Sequence, residues 1–322
     1  MKLDAHNKCL IATPVMHLTE VADFVRSHEE SFILDESISY KELANKLSTS
    51  PEIKALLVNP NAQGFLIDKN LLSLSSLRTI NTCSTGLNHI DIEACQYLGI
   101  DIFSLKTDYE LINNLPSTAE LAFGMMLALF RNFPGCSSAV LNNDWNYRPV
   151  MGHQLAGSTI GVLGYGRLGK IFCDQLSGFH ANILVCDNSD NIDVPNHLKR
   201  VDIETLFSCC DAIALHIHST NENKYLIGGR LLERTKKGFY LVNTSRGDIV
   251  NEEHIAKLLQ SGHLAGYATD VLETEFSHLE DSPILKMYKE NRFNIVITPH
   301  VGGMTFEGQS KAFLYALNKF KF

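Results

Sequence analysis

The 322-residue sequence has no C-x-x-C pair, no internal repeat, no low-complexity segment and no Gly/Ser-rich linker. Its eight cysteines are scattered, apart from the adjacent Cys209 and Cys210, a pattern that suits neither a zinc ribbon nor a disulfide framework. No metal site is expected from them. The longest apolar stretch, Leu121 to Phe130, falls well short of the roughly 20 residues that span a bilayer. The opening MKLDAHNKCLIATP has no apolar core of the kind a secretory signal needs, so a cytoplasmic chain with reduced, buried thiols is expected. Positive charge is sparse and dispersed within a net charge of -8, which argues against a nucleic-acid face.

What the sequence does have is alternation. Short β-branched runs and helical stretches follow one another from end to end, the pattern of parallel sheets covered on both faces. Four strands are expected early: Cys9–Thr13, Ile53–Val58, Arg78–Thr82 and Ile100–Leu105. Between them, Ser39-Tyr-Lys-Glu42 reads as a capping box, and a helix over Asn88–Leu98 ends at Gly99. The alternation restarts after Pro116, where Ser117-Thr-Ala-Glu120 reads as a second capping box. Six strands follow: Thr159–Leu163, Ala181–Cys186, Ala212–Ile217, Phe239–Asn243, Ala265–Thr269 and Ile295–Thr298. A single core rarely grows past about 250–300 residues, so two doubly wound α/β domains are expected.

Gly164-Tyr-Gly166-Arg-Leu-Gly169 follows the strand TIGVL and opens a helix. Alone, G-x-G-x-x-G is weak evidence. Here the strand precedes it, the helix follows, and Asp187 ends the next strand 18 residues beyond Gly169. Gly164 permits the tight turn, Gly166 admits a pyrophosphate against the backbone, and Gly169 lets helix and strand approach. The amides of Arg167 and Leu168 then face the phosphates. Asp187 suits ribose hydroxyls and repels a 2′-phosphate, and no cation follows until Lys199, so NAD is expected over NADP.

Ligands of open parallel sheets bind beyond the carboxyl ends of the strands. Five consecutive strands here end in polar residues: Asp187, then His216 with His218, then Thr244-Ser-Arg246, then Asp270, then His300. A histidine suits proton transfer near neutrality, a carboxylate such as Glu275 can orient it, and Arg246 can grip a substrate carboxylate in two places. Each has a plainer reading: there are thirteen histidines, and Glu275 sits in an acidic loop. Together, at strand ends of a nucleotide-binding domain, they describe a site.

These residues stand in segments where the chain resembles the D-isomer-specific 2-hydroxyacid dehydrogenase family, which includes phosphoglycerate dehydrogenases. The segments are TGLNHID (85–91), STAELAFGMMLAL (117–129), LAGSTIGVLGYGRLG (155–169), LVNTSRGDIVNEEHI (241–255), LAGYATDVLETE (264–275) and TPHVGG (298–303). The resemblance implies a Rossmann NAD-binding domain, 111–301, inserted in a flavodoxin-like substrate-binding domain, 1–110 plus 302–322. It implies Arg246, Glu275 and His300 as the catalytic set. Arg167, Leu168, Asp187, His216, Thr244, Asp270, Gly302 and Gly303 are expected beside NAD, with the backbone amides of Gly86 and Leu87 on the substrate carboxylate. The expected reaction is hydride transfer between NAD(H) and a small D-2-hydroxy or 2-keto acid. The alternatives are 3-phosphoglycerate specifically, or an NAD(H)-sensing scaffold like the family's co-repressors.

A homodimer is expected through the helix Ser117–Asn132 and the segment after it, up to Trp145. Two positions depart from the family pattern, which commonly has proline where His218 and Phe276 stand. The loop Val58-Asn-Pro-Asn-Ala-Gln-Gly64 carries no cation, so an unphosphorylated substrate is expected unless Arg148 or Lys106 compensates.

Overall fold

The computed structural model describes residues 2–59, 64–87, 89–190, 192–275 and 278–321. Asn61, Phe276 and the expected helix start at Asn88 lie outside these residues. The chain divides into two compact units, Met1–Leu115 with Gly303–Phe322, and Pro116–Gly302.

The first unit is built on a parallel sheet of β1 (Lys8–Ile11), β2 (Phe32–Leu34), β3 (Ile53–Val58), β4 (Thr79–Thr82) and β5 (Asp101–Phe103), in the order β2-β1-β3-β4-β5. This is the flavodoxin-like doubly wound order, with its switch point between β1 and β3. The sequence pattern missed β2, a three-residue edge strand with too few positions to show a period of two. Alternate residues of β3 serve opposite cores: Ala55 and Leu57 on one face, Leu56 and Val58 on the other. The helix Phe306–Leu317 closes the first of these cores with Phe313 and Leu317.

The Ser39 capping box is present, with both reciprocal bonds made to Glu42. The helix expected from residue 88 begins instead at Ile92, because Asp91 takes the cap and accepts from the Ala94 amide at 2.9 Å.

The second unit carries seven parallel strands: β6 (Thr159–Leu163), β7 (Asn182–Cys186), β8 (Lys199–Arg200), β9 (Ala212–Leu215), β10 (Phe239–Asn243), β11 (Leu264–Thr269) and β12 (Ile295–Ile297). Their order is β12-β11-β10-β9-β6-β7-β8. The unforeseen strand, β8, is two exposed basic residues paired with Leu184 and Val185 of β7. Apolar clusters cover both faces, and the helix Ser117–Phe130 buries Ala119, Ala122, Met126 and Phe130 in one of them beside Val162 and Val242.

That helix has no capping box at Ser117. Pro116 is its cap residue, its carbonyl accepting from the Ala119 and Glu120 amides, so Ser117 already lies inside the first turn. Among the described residues, no helix is long and apolar enough to cross a membrane.

Candidate active site

The glycine-rich turn takes the form its sequence requires. Gly164 has φ +96°, and a Cβ there would lie 2.4 Å from the His216 carbonyl oxygen. A Cβ on Gly169 would lie 2.0 Å from the Gly164 carbonyl oxygen, so no side chain fits where helix meets turn. Gly166 has open space where a Cβ would stand, and it precedes the helix Arg167–Ser177. Asp187, just past β7, ties this turn down by accepting from the Tyr165 amide at 2.7 Å, and also accepts from the Ser189 amide at 2.9 Å. The β7–β8 pairing brings in a cation that sequence distance had hidden. Arg200 donates to the carbonyls of Asp187, Ser189 and Asp190 at 3.3, 2.8 and 3.3 Å.

Adjacent strands β10, β11 and β12 deliver the expected catalytic set at their carboxyl ends. Fully buried Asn243 shapes the turn after β10, its side chain donating to the Arg246 carbonyl and accepting from the Ser245 amide, both at 3.0 Å. Arg246 itself donates to the Ser245 carbonyl at 2.7 Å. Past β12, His300 adopts φ +55°, a left-handed conformation uncommon for a residue with a Cβ. Asp270 holds this turn: its carboxylate accepts from Thr298 Oγ1, from the Val301 amide at 2.8 Å and from the Gly302 amide at 2.8 Å. Burial raises its pKa, and those three bonds work the other way. Asp270 was expected beside the cofactor; the bonds its carboxylate makes serve the His300 turn, a role that sequence spacing does not signal.

His300 Nδ1 lies 3.0 Å from Glu275 Oε1, and Glu275 Oε2 accepts from the Leu272 amide at 3.2 Å. With Nδ1–H donated to the carboxylate, proton exchange with a substrate falls to Nε2. Both side chains are mostly buried, at 25% and 16% exposed, so the pair is weakly screened by water. The other expected positions are spread between the units. Gly86 and Leu87 lie in the loop after β4, where Ser84 Oγ donates to the Gly86 carbonyl at 2.7 Å. Gly302 is in the second unit and Gly303 in the first, where its carbonyl accepts from Gln309 at 3.0 Å.

Two buried polar groups bear on whether a dinucleotide fits the second unit. Thr244 Oγ1, past β10, and both ring nitrogens of His216, past β9, are buried with no hydrogen-bond partner among the described residues. An unpartnered hydroxyl past β10, together with the open Gly166 and the helix N-terminus past β6, matches the donors and space a dinucleotide needs.

Burial pushes His216 down to about 4, and His89 in the first unit likewise. The unfolded chain, at 6.5, therefore takes up these protons first. Their contribution to stability is intact above about 6.5 and declines as the pH falls toward about 4. At pH 5 each costs about 2 kcal/mol. His216→Leu is expected to lose less Tm between pH 7 and 5 than the parent; equal losses on thermal melting would exclude this source of acid sensitivity.

Residues 123–302 match the family model for the NAD binding domain of D-isomer specific 2-hydroxyacid dehydrogenases. The chain belongs to the D-isomer-specific 2-hydroxyacid dehydrogenase family. It is 30% identical over 309 residues to a D-3-phosphoglycerate dehydrogenase of Archaeoglobus fulgidus, covering 94% of this chain and 54% of that one. It is 26% identical over 302 residues to a hydroxypyruvate reductase of Thermotoga maritima, covering 93% of each. The chain thus spans about half the length of the phosphoglycerate dehydrogenase and nearly all of the hydroxypyruvate reductase. Among solved structures, NAD-dependent formate dehydrogenase of Staphylococcus aureus in complex with NAD superposes with a TM-score of 0.79 at 27% identity, over 95% of this chain and 92% of that one. D-2-hydroxyisocaproate dehydrogenase shares the fold with a TM-score of 0.79 at 19% identity, over 97% and 94%. The family's cofactor is NAD, and its Rossmann domain is the second unit described above.

Proposed function

We propose that the protein is an NAD-dependent dehydrogenase of a small D-2-hydroxy acid, working with its 2-keto acid in the reverse direction. The observation that carries this reading is the His300–Glu275 pair at 3.0 Å, one strand end from the turn that carries Arg246. Bound NADH supplies a hydride to C2 of the keto acid. The carbonyl oxygen takes its proton from His300 Nε2, while Glu275 holds the imidazole through Nδ1. Arg246 grips the substrate carboxylate and polarises the carbonyl. Gly164, Gly166, Arg167, Leu168, Gly169, Asp187, His216, Thr244 and Asp270 would hold the cofactor, with Gly302 and Gly303. To the first unit, Met1–Leu115 with Gly303–Phe322, a few residues off the expected 1–110 plus 302–322, we assign substrate binding, with the Gly86 and Leu87 amides on the carboxylate; to the second, Pro116–Gly302, we assign cofactor binding.

The substrate side chain is assigned as unphosphorylated. At the carboxyl ends of β1 and β3 the first unit has a pocket of about 300 Å³, lined by Thr13, His17, Asn59, Phe306 and Gln309 among others, with no Lys or Arg among the described residues. Lys106 and Arg148 are both exposed. A phosphate group is held by cations or by a helix N-terminus; this pocket offers only the start of the helix Phe306–Leu317, where the Thr305 side chain already takes the Gly308 amide. Steady-state assays with NADH and a panel of 2-keto acids test both points. Turnover of hydroxypyruvate or glyoxylate above that of 3-phosphohydroxypyruvate is expected. A kcat/KM dominated by the phosphorylated acid would overturn the substrate assignment, and no oxidation of NADH by any of them would overturn the activity.

The assembly is assigned as a homodimer in the cytoplasm. The helix Phe133–Leu141 buries none of its residues, and Phe133, Val140, Leu141, Trp145, Tyr147 and Met151 are between 55% and 87% exposed. Such a concentration of exposed apolar side chains marks an interaction surface. Six of the eight cysteines are buried thiols, which suits a reducing compartment. Light scattering at micromolar concentration is expected to give twice the mass of the 35.9 kDa chain. A monomer mass would remove the dimer.

A further inference from the structure

Glu252 is the first residue of the helix Glu252–Ser261, yet its side chain does not cap that helix. The cap is Asn251, which accepts from the His254 amide at 2.9 Å. Glu252 instead points inward and is only 4% exposed. Its Oε1 accepts from the Glu273 amide at 3.0 Å and its Oε2 from Ser282 Oγ at 2.6 Å. These two partners stand near the beginning and at the end of the segment that carries Glu275.

Each end has further support. At the first, a Cβ on Gly247 would lie 2.2 Å from the Leu272 carbonyl carbon, so the turn after Arg246 presses directly against the Leu272–Glu273 backbone. At the second, fully buried Ser282 caps the helix Pro283–Lys289 by accepting from the Leu285 amide at 3.2 Å. Burial raises the Glu252 pKa, as do the nearby Glu273 and Glu275 charges, while the Ser282 and Glu273 bonds lower it. Burying a carboxylate is costly unless its hydrogen bonds are made, and those shown here run to the segment around Glu275.

We propose that Glu252 is a positioning residue for Glu275. It fixes both ends of the 273–282 segment and thereby holds the Glu275 carboxylate at 3.0 Å from His300 Nδ1. The proposal rests on the reading of Glu275 and His300 as the proton-transfer pair. A loosened segment would leave His300 intact and the cofactor turn untouched, but would let the imidazole lose its partner and its orientation. A misplacement of about 1 Å at a catalytic group can cost on the order of a hundredfold in rate.

The test compares Glu252→Leu, which keeps bulk and loses both bonds, with Glu252→Gln, which can accept from the Glu273 amide and donate to Ser282 Oγ. Glu252→Leu is expected to lower kcat by about ten- to a hundredfold with KM and the NADH Kd within about twofold, and Glu252→Gln to recover most of the loss. Ser282→Ala removes one of the two Glu252 bonds, together with the Ser282 cap on the Leu285 amide, and should give a smaller loss in kcat than Glu252→Leu, which keeps the question open to test if Glu252→Leu does not fold. Unchanged kcat in both Glu252→Leu and Ser282→Ala, a loss in Glu252→Gln as large as in Glu252→Leu, or a parallel loss of NADH binding would each overturn the proposal. A second readout needs no substrate: imidazole ¹⁵N shifts report which ring nitrogen of His300 carries the proton. Glu252→Leu should change them as Glu275→Ala does. If the parent protein reduces no keto acid, the activity reading fails while the ¹⁵N comparison still decides whether Glu252 sets the pair.

Discussion

His300→Ala lowers kcat for keto-acid reduction by about a hundred- to ten-thousand-fold, the range that follows loss of a positioned general acid. The NADH Kd should stay within a few-fold of the parent value, because the glycine turn and Asp187 lie past β6 and β7, away from β12 in the sheet order. The backbone complicates the choice of substituent. His300 has φ +55°, and alanine there carries a strain penalty of about 1 kcal/mol or more that asparagine largely escapes. His300→Asn is therefore the better control for folding, and it should be as inactive as His300→Ala. Activity within tenfold of the parent in both variants, measured under saturating NADH, would remove His300 from the proton-transfer role.

The second large effect concerns Asp187 and the choice between NADH and NADPH. In the parent the carboxylate is set to bind ribose hydroxyls and to repel a 2′-phosphate. Arg200, brought alongside by the β7–β8 pairing, is occupied with the carbonyls of residues 187, 189 and 190. Removing the Asp187 charge takes away the repulsion and leaves a guanidinium within the same loop. Hydrogen bonds to charged groups contribute about 1.5–3 kcal/mol each, so the ratio of kcat/KM for NADH over NADPH should fall by about a hundredfold in Asp187→Ala. Asp187→Asn separates charge from geometry, since its side-chain oxygen can still accept from the Tyr165 amide that Asp187 binds at 2.7 Å. Comparable shifts in both variants assign the effect to charge. Equal use of the two cofactors by the parent protein would refute the role outright.

The cofactor turn was legible in the sequence because its requirements are local: a strand, three glycines at fixed spacing, a helix and an acidic strand end. The placement of Arg246, Glu275 and His300 past the carboxyl ends of β10, β11 and β12 was legible for a related reason. Consecutive parallel strands place their carboxyl ends on one side of the sheet, whatever their order. What escaped was set by contacts between distant segments. β2 and β8 are too short to carry a period, and the proximity of Arg200 to Asp187 exists only through β8. Ser117 has the residue types of a capping box, but Pro116 supplies the cap, which only the backbone reveals. Asp270 and Glu252 read as one more strand-end acid and one more helix-start acid. Their bonds to residues 298–302, and to residues 273 and 282, come from the tertiary arrangement.

The first unit is assembled from two segments that the whole second unit separates in sequence. Lys2 pairs with Lys321, the Leu3 amide donates to the Lys321 carbonyl at 2.7 Å, and Phe313 and Leu317 complete the core around Cys9, Ile11 and Leu57. During synthesis, residues 116–302 leave the ribosome as one uninterrupted stretch, whereas the sheet that began to emerge first still lacks a wall. The usual vectorial order, in which the amino-terminal domain folds first, is thereby reversed. Until the helix Phe306–Leu317 appears, the five-stranded sheet exposes one apolar face, and that interval is when the nascent chain is most exposed to aggregation.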